Sequence, residues 1–113
     1  MRRFLYKKDQ LLCVNILEAC NKILSLSNKL RNNLELEEDI VYFDAILMNF
    51  IVIGEMASKL SPEFKESCPE IEWRKIIAFI NFIAHDYFGI DSEEVWGIIK
   101  SKLPDLVKQL ENR

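Results

Sequence analysis

Apolar residues recur along the chain at three- and four-residue steps, the spacing that places side chains on one face of an α-helix. Over residues 5–32 this stripe is Leu12, Ile16, Ala19, Cys20, Ile23 and Leu30. Asn32, Asn33 and the acidic run that follows then predict a loop. A second helix is predicted over 39–60, with Phe43, Ile46, Leu47, Phe50, Ile53, Gly54, Ala57 and Leu60 on its main stripe. Val41, Ala45, Met48, Val52 and Met56 form a further stripe on the same helix. A helix apolar on two faces is either central in its domain or shared with a partner subunit. Gly54 in its middle costs about 1 kcal/mol against alanine, and its plausible use is close approach of another helix.

Ser61-Pro62 ends that helix and offers a cap followed by a proline suited to a first helical position. Cys68-Pro69 marks another break. A third helix is predicted over 71–87. Its residues Ile71, Trp73, Ile76, Ile77, Phe79, Ile80, Phe82 and Ile83 leave one polar line: Arg74, Asn81 and His85, with Ala78 between. Polar groups on such a helix need partners or a purpose. Trp73 and Trp96 read as core rather than as stacking platforms. Gly89 is a helix stop, and Asp91 with Glu94 is a capping-box-like start for the last helix. That helix carries Val95, Trp96, Ile99, Leu103, Leu106 and Leu110 inward, and Pro104 is expected to kink or break it near residue 103. No repeat or linker divides the chain, so 1–113 reads as a single domain. The expected fold is all-α: an antiparallel four-helix bundle with short loops.

Composition agrees. The 113 residues are 50% hydrophobic and 29% charged, with only three Gly and three Pro, too few turn residues for a β-rich domain. A net charge of −3 disfavours a broad grip on nucleic acid by counterion release, and leaves room for brief contact with a short RNA. Arg2, Arg3, Lys7 and Lys8 make a basic N-terminus, and Glu35, Glu37, Glu38 and Asp39 an acid cluster; solvated helix ends and a polar loop account for both. Cys13, Cys20 and Cys68 are odd in number and lack C-x-x-C spacing. The first two lie about 10 Å apart along one helix, too far for a disulfide, and a reducing cytoplasm fits best. One histidine and scattered cysteines build no zinc site, so no metal or cofactor is expected. The N-terminus has no apolar signal-peptide core, and the uncharged run 45–54 falls short of the ~20 residues of a membrane span, so no membrane is expected.

His85 is the only histidine, the side chain type suited to proton exchange near neutrality. Asn81, Asp86 and Tyr87 crowd the same helix exit. These residues also carry a family resemblance. The stretch from Asp44-Ala45-Ile46-Leu47-Met48-Asn49 to Phe50-Ile51-Val52-Ile53-Gly54-Glu55 resembles the second-helix signature of the HepT-like HEPN proteins. Pro69-Glu70-Ile71-Glu72-Trp73, then Asn81-Phe82-Ile83-Ala84-His85-Asp86-Tyr87-Phe88-Gly89-Ile90-Asp91, resembles their third helix and its exit. Val95-Trp96 and Leu103-Pro104-Asp105-Leu106 are similar to their last helix. The likeness spans about 39–110.

The resemblance implies a helical bundle that forms homodimers, and in many members a toxin of a toxin–antitoxin pair acting as a metal-independent ribonuclease. The family motif is Arg-x(4–6)-His, often with Asn directly after the Arg. The implied partner is an MNT-type minimal nucleotidyltransferase, which in some pairs adenylylates the Tyr of a His-x-Tyr element. Carried over by position, His85 matches the catalytic His, Asn81 the Asn and Tyr87 the modifiable Tyr. The chemistry suits those types. Cleavage without metal uses the RNA 2′-OH as nucleophile, so a base and an acid must move protons, and a guanidinium can clamp the charged phosphorane. An AMP group on Tyr87 would block the site and repel RNA phosphate.

The chain departs from the motif at Ile80, which stands five residues before His85 where the Arg belongs. Met48, before Asn49, also stands where many relatives carry Arg. Arg74 is a substitute on the His85 stripe, but about 16 Å of helix axis separate the two, so Arg74 or Arg31 would reach a shared phosphate only across a dimer. Tyr87 also reads as an aromatic capping the bundle end. Asp86 orients His85 or caps the helix exit. Glu55 pairs with a basic residue, lines a dimer cleft or faces solvent. Three functions stay open: a toxin ribonuclease, a non-catalytic module that keeps the fold, dimer and nucleotidyltransferase binding, and a nucleotide-binding helical domain. The last has little support, because Gly54, Gly89 and Gly97 are isolated and form no phosphate loop.

Overall fold

Helix α1 (Lys7–Ser27) buries the predicted stripe, with Leu12, Ile16, Ala19, Cys20 and Ile23 turned inward. The structure is a computed structural model that describes residues 7–112; Arg2, Arg3 and the start of the first predicted helix lie outside the described residues. α1 stops at Ser27, earlier than periodicity predicts. The buried Ser27 hydroxyl donates back to the Leu24 carbonyl at 3.1 Å, and the backbone turns through Lys29 and Leu30. A serine hydroxyl that competes for helix carbonyls favours such an ending.

The acid cluster is not a loop. It forms a short helix, α2 (Asn33–Glu38), capped by Asn32, whose side chain accepts the Glu35 N–H at 3.0 Å. The Glu35 carboxylate reaches back to the Arg31 N–H at 2.9 Å and to Arg31 Nε at 2.7 Å. Asn followed three residues later by Glu is a helix-start signal, a variant of the capping box. Leu36 anchors this turn in the core. The Arg31 backbone amide, and then its guanidinium, hold the Glu35 carboxyl below its ordinary range. The cap is therefore intact above the ordinary carboxyl range and is lost as pH falls through the lowered value.

Helix α3 (Ile40–Lys59) begins on the Asp39 side chain, which accepts the Tyr42 N–H at 3.1 Å. By length and composition alone it could cross a membrane. Here it is the central helix, with Ile46, Leu47, Phe50, Ile53 and Ala57 buried and both α1 and α5 packed on it. The Ser61 side chain then caps the short α4 (Pro62–Glu66), accepting the Phe64 N–H at 3.1 Å. Buried Asp9 accepts both the Ser61 N–H, at 2.9 Å, and its hydroxyl, at 2.6 Å. This tie joins the start of α1 to the end of α3, so the two run antiparallel. Asp9→Ala is expected to cost about 2 kcal/mol, because the Ser61 N–H and hydroxyl both lose their acceptor in a part-buried place. Urea unfolding checks this, and a cost below about 0.5 kcal/mol would show the tie to be incidental.

Helix α5 (Trp73–His85) is shorter than predicted at both ends. It exits at Asp86, which is non-helical, into a 3₁₀ turn, Tyr87–Gly89. Asp91 caps α6 (Ser92–Gly97) by accepting the Glu93 N–H at 2.9 Å. Ser92 donates to Glu37 at 2.9 Å and so ties α6 to α2. Pro104 does not break the last helix. A π turn over Ile98–Lys102 precedes it, and α7 (Leu103–Glu111) continues, with Leu103, Leu106 and Leu110 buried. Widening the turn accommodates a residue with no N–H to give and a ring that crowds the preceding carbonyls. α7 packs on α1 and completes an all-α bundle.

Trp73 is core, as expected, and packs near Phe64. Trp96 packs against the core from its rim, half-buried, with Lys100 Nζ 4.6 Å from its ring centre. All three cysteines are buried and free. Burial, the leading cause, pushes the Cys13 and Cys20 thiols up to about 12. Almost no thiolate exists there at neutral pH. The native protein is expected to react with a thiol–disulfide exchange reagent only slowly, and all three thiols to react at once in denaturant; fast reaction of the native protein would contradict this burial.

Candidate functional site at the exit of α5

The site is built on one helix with a one-sided demand for burial. Ile80 and Ile83 face inward, Ile76, Ile77 and Phe79 pack against the core, and Arg74, Ala78, Asn81 and His85 lie exposed on another side. The polar line expected from spacing is thus a solvent-facing stripe. Asn81 and His85 are one turn apart on it, so both side chains can meet one ligand. Arg74 shares the stripe but lies near the opposite end of α5, and the structure does not bring it to His85.

The chain after His85 holds the rest. Asp86 does not pair with His85. Its carboxylate lies over Gly89, where an added Cβ would overlap it and the exposed Asp86 side chain would have to swing aside. Tyr87 extends across to α3 and donates its hydroxyl to Asp44. That bond, to an anionic acceptor, raises the phenol above its ordinary range. Tyr87 also meets the Phe88 ring edge-on, at 5.2 Å between centres, and Phe88 is 97% exposed. A shallow hollow of about 320 Å³ lies between α3 and this exit, lined by Asp44, Met48, Ile51, Ile83, Ala84 and Tyr87 among others. Sequence reasoning assigned Asp44 no role. Its one signal was a charge within the apolar run from Ile40 to Gly54.

Other expected contributors are placed elsewhere. Glu55 pairs with Lys59 at 3.4 Å on the surface of α3, an exposed pair of little energetic weight. Arg31 is engaged by Glu35. Ile80 is 4% exposed and packs on Gly54, where an added Cβ would come within 3.0 Å of the Ile80 Cβ and overlap its Cγ2. This is the close helix approach that Gly54 predicted. A larger cleft of about 390 Å³ opens on a different face of α5, toward α7, and is lined by Phe50, Ile53, Phe79, Lys102 and Leu106 among others. It includes neither Asn81 nor His85. Among the described residues no group of His, Cys, Asp and Glu could hold a metal ion.

Comparison with known proteins gives this geometry a family. A protein of Methanocaldococcus jannaschii named a "Putative RNase" is 27% identical over 97 residues, covering 86% of this chain and 88% of that one. A second "Putative RNase" of the same organism is 29% identical over 111 residues, covering 98% of this chain and 84% of that one. A "Probable ribonuclease HepT" of Thermococcus cleftensis is 31% identical over 67 residues, covering 59% of this chain and 61% of that one. No solved structure gives a significant match. The family description "Ribonuclease HepT-like" matches residues 16–113, the span that holds α3, α5 and the whole exit turn, and the chain belongs to the HepT-like ribonuclease family.

Proposed function

We propose that this chain is a metal-independent endoribonuclease and the toxin of a toxin–antitoxin pair, with its site at Asn81 and His85. The observation that carries this reading is the exposed pair itself. A histidine and an asparagine one turn apart face solvent, at the end of a helix whose other side is committed to the core. In the reaction, His85 takes the proton of an RNA 2′-OH as its oxygen attacks the adjacent phosphorus. The P–O5′ bond then breaks, the 5′-oxygen takes a proton, and a 2′,3′-cyclic phosphate remains. Asn81 orients the phosphate through its amide N–H groups. Asp86, whose backbone carbonyl accepts the Gly89 N–H, shapes the turn rather than moving protons.

The test is incubation of the purified protein with single-stranded RNA in excess EDTA. Fragments ending in cyclic phosphate are expected; intact RNA, or cleavage only with added metal, would refute the mechanism.

Control is assigned to an MNT-type nucleotidyltransferase antitoxin acting on Tyr87. The Tyr87 oxygen attacks the α-phosphorus of ATP, pyrophosphate leaves, and the phenol proton passes to a base. The resulting AMP sits two residues from His85. Buried free thiols fit work in a reducing cytoplasm.

A homodimer is supported by apolar surface beside the site. Val41 is 71% exposed and Met48 58%, seven residues apart on α3, and Phe82 on α5 is 44% exposed. Such a patch is costly in water and suits an isologous interface. Met48→Glu is expected to shift the sedimenting species from dimer to monomer at micromolar concentration. A wild-type monomer, or a dimer untouched by this change, would remove this interface.

A second reading has its own observation. Ile80, in the place of the motif arginine, is locked against Gly54. On this reading the chain keeps the fold, the dimer and the antitoxin contact, and its catalysis has decayed. Cleavage gained in Ile80→Arg, over an inactive parent, would favour decay.

A further inference from the structure

The turn after His85 has few ties of its own. Asp86, Tyr87, Phe88 and Gly89 are all exposed. Its backbone bonds are local: Asp86 N–H to the Phe82 carbonyl at 2.9 Å, Gly89 N–H to Asp86 at 3.1 Å, and Ile90 N–H to Tyr87 at 3.4 Å. Segments held only this way open at little cost. One side chain reaches out of the turn to another helix, and it is Tyr87, whose hydroxyl donates to Asp44 near the start of α3. Asp44 makes no ion pair among the described residues, so its carboxylate is free to serve as this acceptor.

We propose that Asp44 is a positioning residue, a latch that holds the exit turn against α3 and so fixes the direction of His85, and that modification of Tyr87 opens it. The second half rests on the assignment of Tyr87 as the nucleotidyl acceptor. Before transfer, the phenol O–H faces a carboxylate and the contact is a charge-assisted hydrogen bond. Transfer of AMP from ATP replaces that O–H by an O–P bond, with pyrophosphate leaving and the proton passing to a base. The donor is gone, and an anionic phosphodiester now stands beside an anionic carboxylate. Attraction becomes repulsion at the same two atoms. On this account adenylylation silences the site by displacing the turn beside His85 as well as by covering it. The same latch is lost at high pH. The raised phenol keeps its proton through and beyond its ordinary range of about 10, and the bond disappears once that proton leaves.

Amide hydrogen exchange of the isolated protein tests the latch without RNA or partner. Exchange at Gly89 and Ile90 is expected to rise at least about fivefold in Tyr87→Phe and equally in Asp44→Ala. The double variant should go no further, because both changes break one bond. Asp44→Asn, which keeps an acceptor oxygen, should recover most of the protection. Wild-type exchange in Tyr87→Phe, or additive effects in the double variant, would overturn the latch. In the RNA assay the same two single variants should lower kcat together with little change in KM; faster exchange with unchanged kcat would overturn its role in positioning His85. If the wild-type protein cuts no RNA, the ribonuclease reading fails by that result alone, while exchange still decides the latch.

Discussion

Replacing His85 with alanine is expected to slow RNA cleavage by about 10²–10⁴-fold, the usual worth of a positioned general acid or base. The fold should survive. His85 is exposed, makes no side-chain hydrogen bond among the described residues, and sits in the last turn of α5. Its place at the exposed end of α5 gives it little part in holding the fold. A loss of rate with an unchanged unfolding midpoint would therefore report chemistry and not collapse. Asn81→Ala should lose less, because a neutral amide orients the phosphate and moves no proton. The measurement is the initial rate on an end-labelled oligoribonucleotide, beside unfolding in urea. A His85→Ala protein, purified identically, cutting within about threefold of its parent would remove His85 from the mechanism.

How far this site could be read from sequence depends on where each contact is made. Asn81 and His85 share a helix, so their spacing alone set their common face, and α5 bears that out. The same held for the core stripes of α1 and α3, for the Ser61 cap and for Gly54. Ile80 was legible in the same way, since its place among inward positions made burial its simplest fate. The tie between Tyr87 and Asp44 spans 43 residues of chain and depends on how α3 and α5 are aligned, which local pattern does not encode. Helix α2 was a different kind of miss. Its signal, Asn32 ahead of Glu35, is local, but four acidic residues in close succession looked like solvated loop. Capping and one buried leucine outweighed that polarity. At Pro104 the rule was sound and the outcome differed, because a π turn absorbed the missing N–H without ending the helix.

Ile80→Arg, the change that would rebuild the family motif, is expected to cost about 3 kcal/mol of stability whatever it does for RNA cleavage. Ile80 is buried against the one place where α3 has no side chain, and its Cγ2 fills the space that Gly54 leaves open. An arginine would forfeit that packing and put a guanidinium where Phe50, Ile53 and Phe79 line the nearest opening. Its stem could run out along the larger cleft toward Glu72 and Asp105, which limits the cost and leads the charge away from His85. Five residues of helix leave positions 80 and 85 about 140° apart, so a guanidinium aiding His85 must bend around α5. Two companion variants separate packing from charge. Ile80→Ala should cost about 2–4 kcal/mol through the cavity it leaves. Gly54→Ala should cost about 1–2 kcal/mol, since the overlap with Ile80 outweighs the better helix propensity of alanine. Combined, Gly54→Ala and Ile80→Ala should cost at least about 1 kcal/mol less than their sum, because the new methyl enters the space the isoleucine vacated. Strict additivity in urea unfolding, or an Ile80→Arg protein as stable as its parent, would mean that α3 and α5 do not meet through these two residues. The isoleucine would then be a passive replacement and not a structural lock on the motif position.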